Sequence, residues 1–222
     1  MTAASRESRP GVVLSPDDHV LGEPDAPVTV VEYGDYECPY CAAAAPVLRR
    51  LVEESDGQVR LVFRHFPLAD RHPYALTAAL AAEAAGAQGA FWALHDRLLA
   101  RQERLDDTAL RAYAEELGLD GDRVIGAAAQ PLGDKVEADF AAGLAAGVGG
   151  TPTVFIDGRL FDGRMELGAL RRAVSGVGSG GDGRLDPGAG RQRRWPLRLR
   201  RAQREPLTED PQQDDAEHRC QH

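Results

Sequence analysis

Val28-Thr-Val-Val-Glu-Tyr33 is a β-branched, almost wholly apolar run, and Gly34-Asp35 breaks it just before Cys38-Pro-Tyr-Cys41. A run of that kind reads as a buried strand. A helix is expected from about Pro39, because proline suits a first helical turn, where its missing N–H would have had no partner. Val47, Leu48 and Leu51 share one face of that helix, and Asp56-Gly57 ends it. Val59-Arg-Leu-Val-Phe-Arg-His-Phe66 is a second strand. Strand, helix and strand in succession require a right-handed crossover and a parallel pair, which makes the chain an α/β protein.

About eighty residues of helical period follow. Phe91, Leu94 and Leu98 recur at i, i+3, i+7, as do Leu110, Tyr113 and Leu117, while Val136, Phe140 and Leu144 recur at i, i+4, i+8. Such stripes are read as core faces. Asp106 or Asp107 and Asp120 suit N-caps. After Gly147-Val-Gly-Gly150 and Thr151-Pro152, a strand is expected at Thr153–Ile156. An Asp157-Gly158 hairpin turn then leads into Arg159–Phe161. A last helix is expected over Glu166–Val174, with Leu167, Leu170 and Val174 inward. The expected organisation is a disordered N-terminus at 1–11, one domain at 12–175 with a helical insert at about 70–146, and a disordered tail at 176–222. Within that tail Arg184–Arg204 holds eight arginines and one acid, and Glu205–Glu217 holds six acids and no base. Blocks of that kind cannot bury a core.

The formal net charge of −9 argues against nucleic acid or an anionic membrane as partner. No stretch approaches the ~20 apolar residues of a membrane-spanning helix. The start, Met1 to Asp18, has no apolar h-region of the signal-peptide kind, so the expected compartment is the cytosol, and the expected state is monomeric. Three cysteines, Cys38, Cys41 and Cys220, do not make a structural disulfide framework.

The thiolate, not the thiol, attacks a disulfide. Just before the first turn of a helix, Cys38 would meet free N–H groups and the positive end of the helix dipole, which stabilise its anion. Cys41 lies one turn deeper. Cys38 is therefore expected to be the exposed nucleophile and Cys41 the resolving thiol, with Cys38–Cys41 as the redox-active disulfide. A lone CxxC is also half of a zinc site, but zinc takes four ligands, and the other clustered candidates, His218, Cys220 and His222, fall in the tail. An incidental pair of buried cysteines is the remaining alternative. No metal and no cofactor are expected.

Val-Glu-Tyr-Gly-Asp-Tyr-Glu-Cys-Pro-Tyr-Cys41, Arg64-His-Phe-Pro-Leu68 and Gly-Gly-Thr-Pro-Thr-Val-Phe-Ile-Asp-Gly158 resemble the DsbA family of thioredoxin-fold proteins over about residues 12–175. Cys-Pro-Tyr-Cys alone also resembles glutaredoxin. Pro152 follows Cys41 by 111 positions, which leaves room for the helical domain that the DsbA family inserts and glutaredoxin lacks. The resemblance implies a thioredoxin-like fold with an inserted helical domain, and disulfide exchange with protein or small thiol substrates, followed by recycling through a redox partner. Similar domains occur fused to ion antiporters, so the alternative is a redox-sensing module acting on a partner.

By the same resemblance Pro152 is a cis-proline facing the sulfurs, and the backbone of Thr151 binds an extended substrate peptide. Pro39 and Tyr40 support the site, and Glu32 is the acid beneath the cysteines that assists proton transfer. The structural alternative for Glu32 is an acid at a strand end or paired with an arginine. Better-known members pair this acid with a lysine, for which only Arg60 or Arg64 offer substitutes here. His72 is read as a capping or surface histidine near the site. Strongly oxidising members carry histidine where Tyr40 stands, and a neutral phenol should stabilise the Cys38 thiolate less. The reduction potential, measured by equilibration against glutathione buffers, is thus expected between the thioredoxin and DsbA values of about −270 and −120 mV.

Overall fold

The computed structural model describes residues 14–178. The expectations for residues 1–11 and for Cys220 and most of the tail lie outside the described residues. In chain order the elements are β1 (His19–Leu21), β2 (Val28–Gly34), α1 (Pro39–Glu53), β3 (Val59–His65), α2 (Ala75–Gly86), α3 (Phe91–Ala100), α4 (Asp107–Glu116), α5 (Gly126–Ala129), α6 (Gly133–Ala145), β4 (Thr153–Ile156), β5 (Arg159–Leu160) and α7 (Leu167–Gly178). The strands form one sheet in the order β1-β3-β2-β4-β5. β2 and β3 run parallel, as their crossover through α1 requires, and the other pairs are antiparallel. This is a thioredoxin-like mixed sheet flanked by helices, with α2 to α6 occupying the long interval between β3 and β4.

Register decides which side chain meets which layer, since alternate strand residues face opposite ways. Val30 and Glu32 of β2 pair with Leu61 and Phe63 of β3 and with Ile156 and Val154 of β4. Val28, Val30, Val59, Leu61, Val154 and Ile156 form a core with Leu48 and Leu51 of α1 and Leu170 of α7. The opposite face brings Val31, Tyr33, Val62, Phe66 and Phe155 against Phe140 of α6. A third cluster joins α2, α3 and α4 to Tyr36, Phe63, Cys38 and Cys41, so the helical insert packs directly on the two cysteines.

Three expectations change. β1 was not anticipated as a strand; three residues are too few for alternation to register, and only pairing with β3 reveals it. α7 continues to Gly178, past the expected end at Val174 and into the stretch assigned to the tail. The buried face of α6 is Val136, Asp139 and Gly143, whereas Leu144 is 57% exposed. At 3.6 residues per turn, i+7 returns close to the starting face while i+8 has rotated well past it. Gly143 is needed for close approach, since a Cβ there would lie 2.7 Å from the Phe66 ring and 3.0 Å from that of Tyr33. Gly143→Val should therefore cost about 1–3 kcal/mol through overpacking. Denaturant unfolding measures it, and unchanged stability would mean that α6 can move off the sheet.

Candidate active site

Cys38 is the N-cap of α1, in extended conformation, with Pro39 in the first turn and no side chain capping the helix. Its sulfur lies where the first free N–H groups of α1 converge. The pKa of Cys38 falls to about 5, mainly because the Cys41 thiol donates to its sulfur; the Cys41 and Tyr40 backbone N–H groups add to this, against the opposing effect of burial. Its own thiol, when protonated, points to the Thr151 carbonyl at 3.3 Å. Cys41 is fully buried, and its pKa moves up, through its hydrogen bond to Cys38, burial and the charge of Glu32. Both cysteines are free thiols. Cys38 is not the exposed residue that its expected role implied: it is 4% accessible, because the Thr151 loop and the helical insert close over it. Pro39 and Tyr40, the latter 73% exposed, are the parts of the motif that meet solvent.

Glu32 is completely buried, and neither carboxylate oxygen has a hydrogen-bond partner. Burial, with the Cys38 charge second, pushes its pKa up to about 8. The acid is thus not paired with an arginine. Glu32 is in register with Phe63, so Arg60 and Arg64 project from the opposite face of β3. Arg60 donates to Thr29 Oγ1 and to the Pro24 carbonyl, and Arg64 to Asp18 and the Tyr33 hydroxyl. Neither stands in for the lysine.

The Thr151–Pro152 peptide bond is cis, and the Thr151 hydroxyl is buried without a partner. Gly149 and Gly150 have open space where side chains would be, so this side of the loop is accessible to another chain.

Two residues that the sequence reading passed over hold the turn before Cys38. Gln102, in the loop after α3, donates from Nε2 to the carbonyls of Tyr36 and Cys38, each at 2.8 Å. Asp35, seen in the sequence only as a strand breaker, has a buried carboxylate that accepts from Glu37 N–H, Leu68 N–H and His72 Nδ1. His72 is therefore neither a cap nor a free surface group. Nothing in the sequence marks Gln102, because its partners are main-chain atoms 64 and 66 positions away. Long-range pairing likewise creates a buried cluster of His65, Glu83 and Asp139, whose ligand atoms lie within 4.8 Å of one another. Glu83 accepts from His19 and His65, and Asp139 from the His65 N–H and Lys135. Burial pushes Glu83 up, yet the two histidine bonds outweigh it and hold its pKa at about 2. With protein donors already on these carboxylates, the cluster reads as a hydrogen-bond network.

The thioredoxin family model matches residues 14–175. The chain belongs to this family. Within the thioredoxin family its fold is DsbA-like. It resembles a thioredoxin-like oxidoreductase from Silicibacter pomeroyi at TM-score 0.63 and 34% identity, over 73% of this chain and 93% of that one. It also resembles the thiol-disulfide exchange protein alpha-DsbA2 from Wolbachia pipientis at TM-score 0.65 and 24% identity, over 73% and 88% of the two chains. Among curated proteins, a Na(+)/H(+) antiporter NhaA 1 from Salinispora arenicola is 46% identical over 202 residues, 90% of this chain but 30% of that protein. A Na(+)/H(+) antiporter NhaA 3 from Salinispora tropica is 48% identical over 183 residues, 82% of this chain and 28% of that protein. The chain thus spans less than a third of the length of these curated relatives.

In this thioredoxin-family site the raised Glu32 pKa predicts a pH dependence. The folded protein holds the Glu32 proton more tightly than the unfolded chain, whose ordinary value is 4.5, and ionisation in the fold occurs only near 8. Stability from this group is complete below about pH 4.5 and is lost as pH rises toward 8. Glu32→Gln, which cannot ionise, should match the wild type at pH 4 and exceed its Tm by several degrees at pH 8. The comparison is made on the disulfide form, where the Cys38 charge is absent and burial, the larger of the two causes, acts alone, so that the loss sets in at a somewhat lower pH than in the reduced form. A difference that is constant with pH would show that Glu32 does not titrate in this range.

Proposed function

We propose that the chain is a thiol–disulfide oxidoreductase that exchanges disulfides with protein or small thiol substrates through Cys38 and Cys41. The observation that carries this reading is the asymmetry of the pair: Cys38 is held as a thiolate at about 5, whereas Cys41, one turn deeper, keeps its proton. At neutral pH the Cys38 thiolate attacks one sulfur of a substrate disulfide. A Cys38–substrate bond forms, the substrate S–S bond breaks, and the departing sulfur leaves as a thiolate that takes up a proton. Cys41 then loses its proton and attacks Cys38 Sγ, releasing the second substrate thiol and leaving the Cys38–Cys41 disulfide. Two electrons pass from the chain to the substrate, and a dithiol recycling partner returns them; the same steps reversed oxidise a substrate.

Glu32, whose charge is felt by Cys41, is the group proposed to take the Cys41 proton: once Cys38 is bound in the mixed disulfide, the thiolate charge that helps to hold Glu32 near 8 is gone and the acid ionises more readily. The accessible loop at Gly149–Pro152 is the proposed seat of an extended substrate segment, bound through the Thr151 main chain. Pro39, whose ring suits the first turn of α1, and Tyr40 form the exposed rim. Cys38→Ser should abolish exchange with a disulfide-bonded protein such as insulin. Cys41→Ser should accumulate mixed disulfides visible on non-reducing gels. Trapping by the Cys38 variant instead would reverse the two roles.

One observation favours a second reading. The relatives named as Na(+)/H(+) antiporters are much longer than this chain and carry a segment 46–48% identical to it, so a domain of this kind also occurs as part of transport proteins. In that reading the same thiol pair senses redox state and signals to a partner. Multiple turnovers with a protein disulfide and glutathione support the enzyme; a single oxidation and reduction without turnover supports the sensor.

A further inference from the structure

We propose that His72 is a positioning residue for the nucleophile, acting through Asp35 to hold the turn that carries Cys38. This deepens the oxidoreductase reading and rests on it. Asp35 touches both cysteines with its main chain: its carbonyl accepts from Cys38 N–H at 3.1 Å, and its N–H lies 3.5 Å from Cys41 Sγ. Where the Asp35 peptide sits therefore decides where both sulfurs sit relative to the start of α1.

That peptide is anchored by its own side chain. One oxygen accepts from Glu37 N–H at 2.8 Å, which closes the local turn. The other reaches across to the segment between β3 and α2, accepting from Leu68 N–H and His72 Nδ1, each at 2.8 Å. The carboxylate is fully buried, so each of these donors replaces water that the site excludes. Two of the three donors are backbone groups. His72 is the side-chain donor, and a local turn motif of Asp35 and Glu37 alone would not need it.

The opposite side of the same turn is tied by Gln102 to the Tyr36 and Cys38 carbonyls. The turn is thus gripped from two directions by residues lying between β3 and β4, the interval that holds the helical insert. Loss of the His72 bond would leave a buried carboxylate under-satisfied, and the Asp35 peptide would shift to recover a partner. The Cys38 sulfur would then move out of line with the N–H groups of Tyr40 and Cys41.

The test uses two variants of the full chain in its reduced form. His72→Ala removes the donor. His72→Asn keeps an N–H at about the place of Nδ1 but cannot carry a positive charge. Iodoacetamide alkylation of Cys38 at pH 6, with peptide mapping, reads nucleophile placement without a substrate or partner protein. His72→Ala is expected to slow it roughly fivefold, the order of effect that loss of one hydrogen bond supplies. His72→Asn is expected to stay within about twofold of the wild type. An alkylation rate for His72→Ala equal to the wild type, even with a lower Tm, would reduce His72 to a structural residue and overturn the proposal. Equal slowing in both variants would overturn it as well, since charge or ring packing would then be what matters. Because alkylation needs no turnover, a wild-type chain that fails to exchange disulfides would count against the oxidoreductase reading while these rates still decide the role of His72.

Discussion

The position of one sulfur organises this molecule. Cys38 Sγ lies where β2 has ended and α1 has not yet satisfied its own N–H groups, and the Cys41 thiol first, then those groups, draw its pKa from 9.0 to about 5. The parallel β2–β3 pair fixes where β2 ends, and α1 must leave from that point to cross back over the sheet. Pro46 inside α1 would weaken an isolated helix by removing a hydrogen bond and crowding the preceding turn. Cys41, Ala44, Leu48, Leu51 and Val52 are buried along the same helix, and their packing holds it on course.

Around the sulfur the buried acids are treated in two ways. Asp35 and Glu83 are surrounded by donors, which makes them rigid anchors: one for the turn before Cys38, the other between β1, β3 and α2. Glu32 has no donor and is held near 8, so at neutral pH it keeps its proton. A buried carboxylate without partners costs several kcal/mol, whereas the neutral acid costs far less. That difference sets the ionisation of Glu32 apart from that of the satisfied acids, and the proton exchange proposed for it with Cys41 would draw on it. The absence of a lysine or arginine from its face of β3 is what preserves this state, since a neighbouring cation would favour the ionised form.

The helical insert does more than cover one face of the sheet. It forms a common core with Tyr36, Phe63 and both cysteines, and Gln102 bonds to the main chain on either side of Glu37. The chemistry of the motif is therefore set partly by residues far from it in the chain. Sequence variation in the loops beside α2 and α3 offers a way to alter Cys38 without touching the motif.

The thioredoxin-like core, the order of its main elements, and the cysteine pair at a helix start were all legible in the sequence. They rest on short-range rules: a β-branched apolar run, a proline in a first turn, an Asp-Gly hairpin, and a period of 3.6 along the insert. The apolar character of Val28–Tyr33 was enough to single out Glu32 as an acid inside a buried strand. Tertiary structure alone decided what that acid meets, because the β2–β3 register sends Arg60 and Arg64 to the opposite face. It also recruited β1, turned Leu144 outward, covered Cys38, and brought His72 and Gln102 to the turn before Cys38. These are pairings between residues tens of positions apart. Local periodicity carries the tendency of a segment to form a helix or strand, but a contact of that range depends on how the layers stack, and no spacing in one segment encodes it.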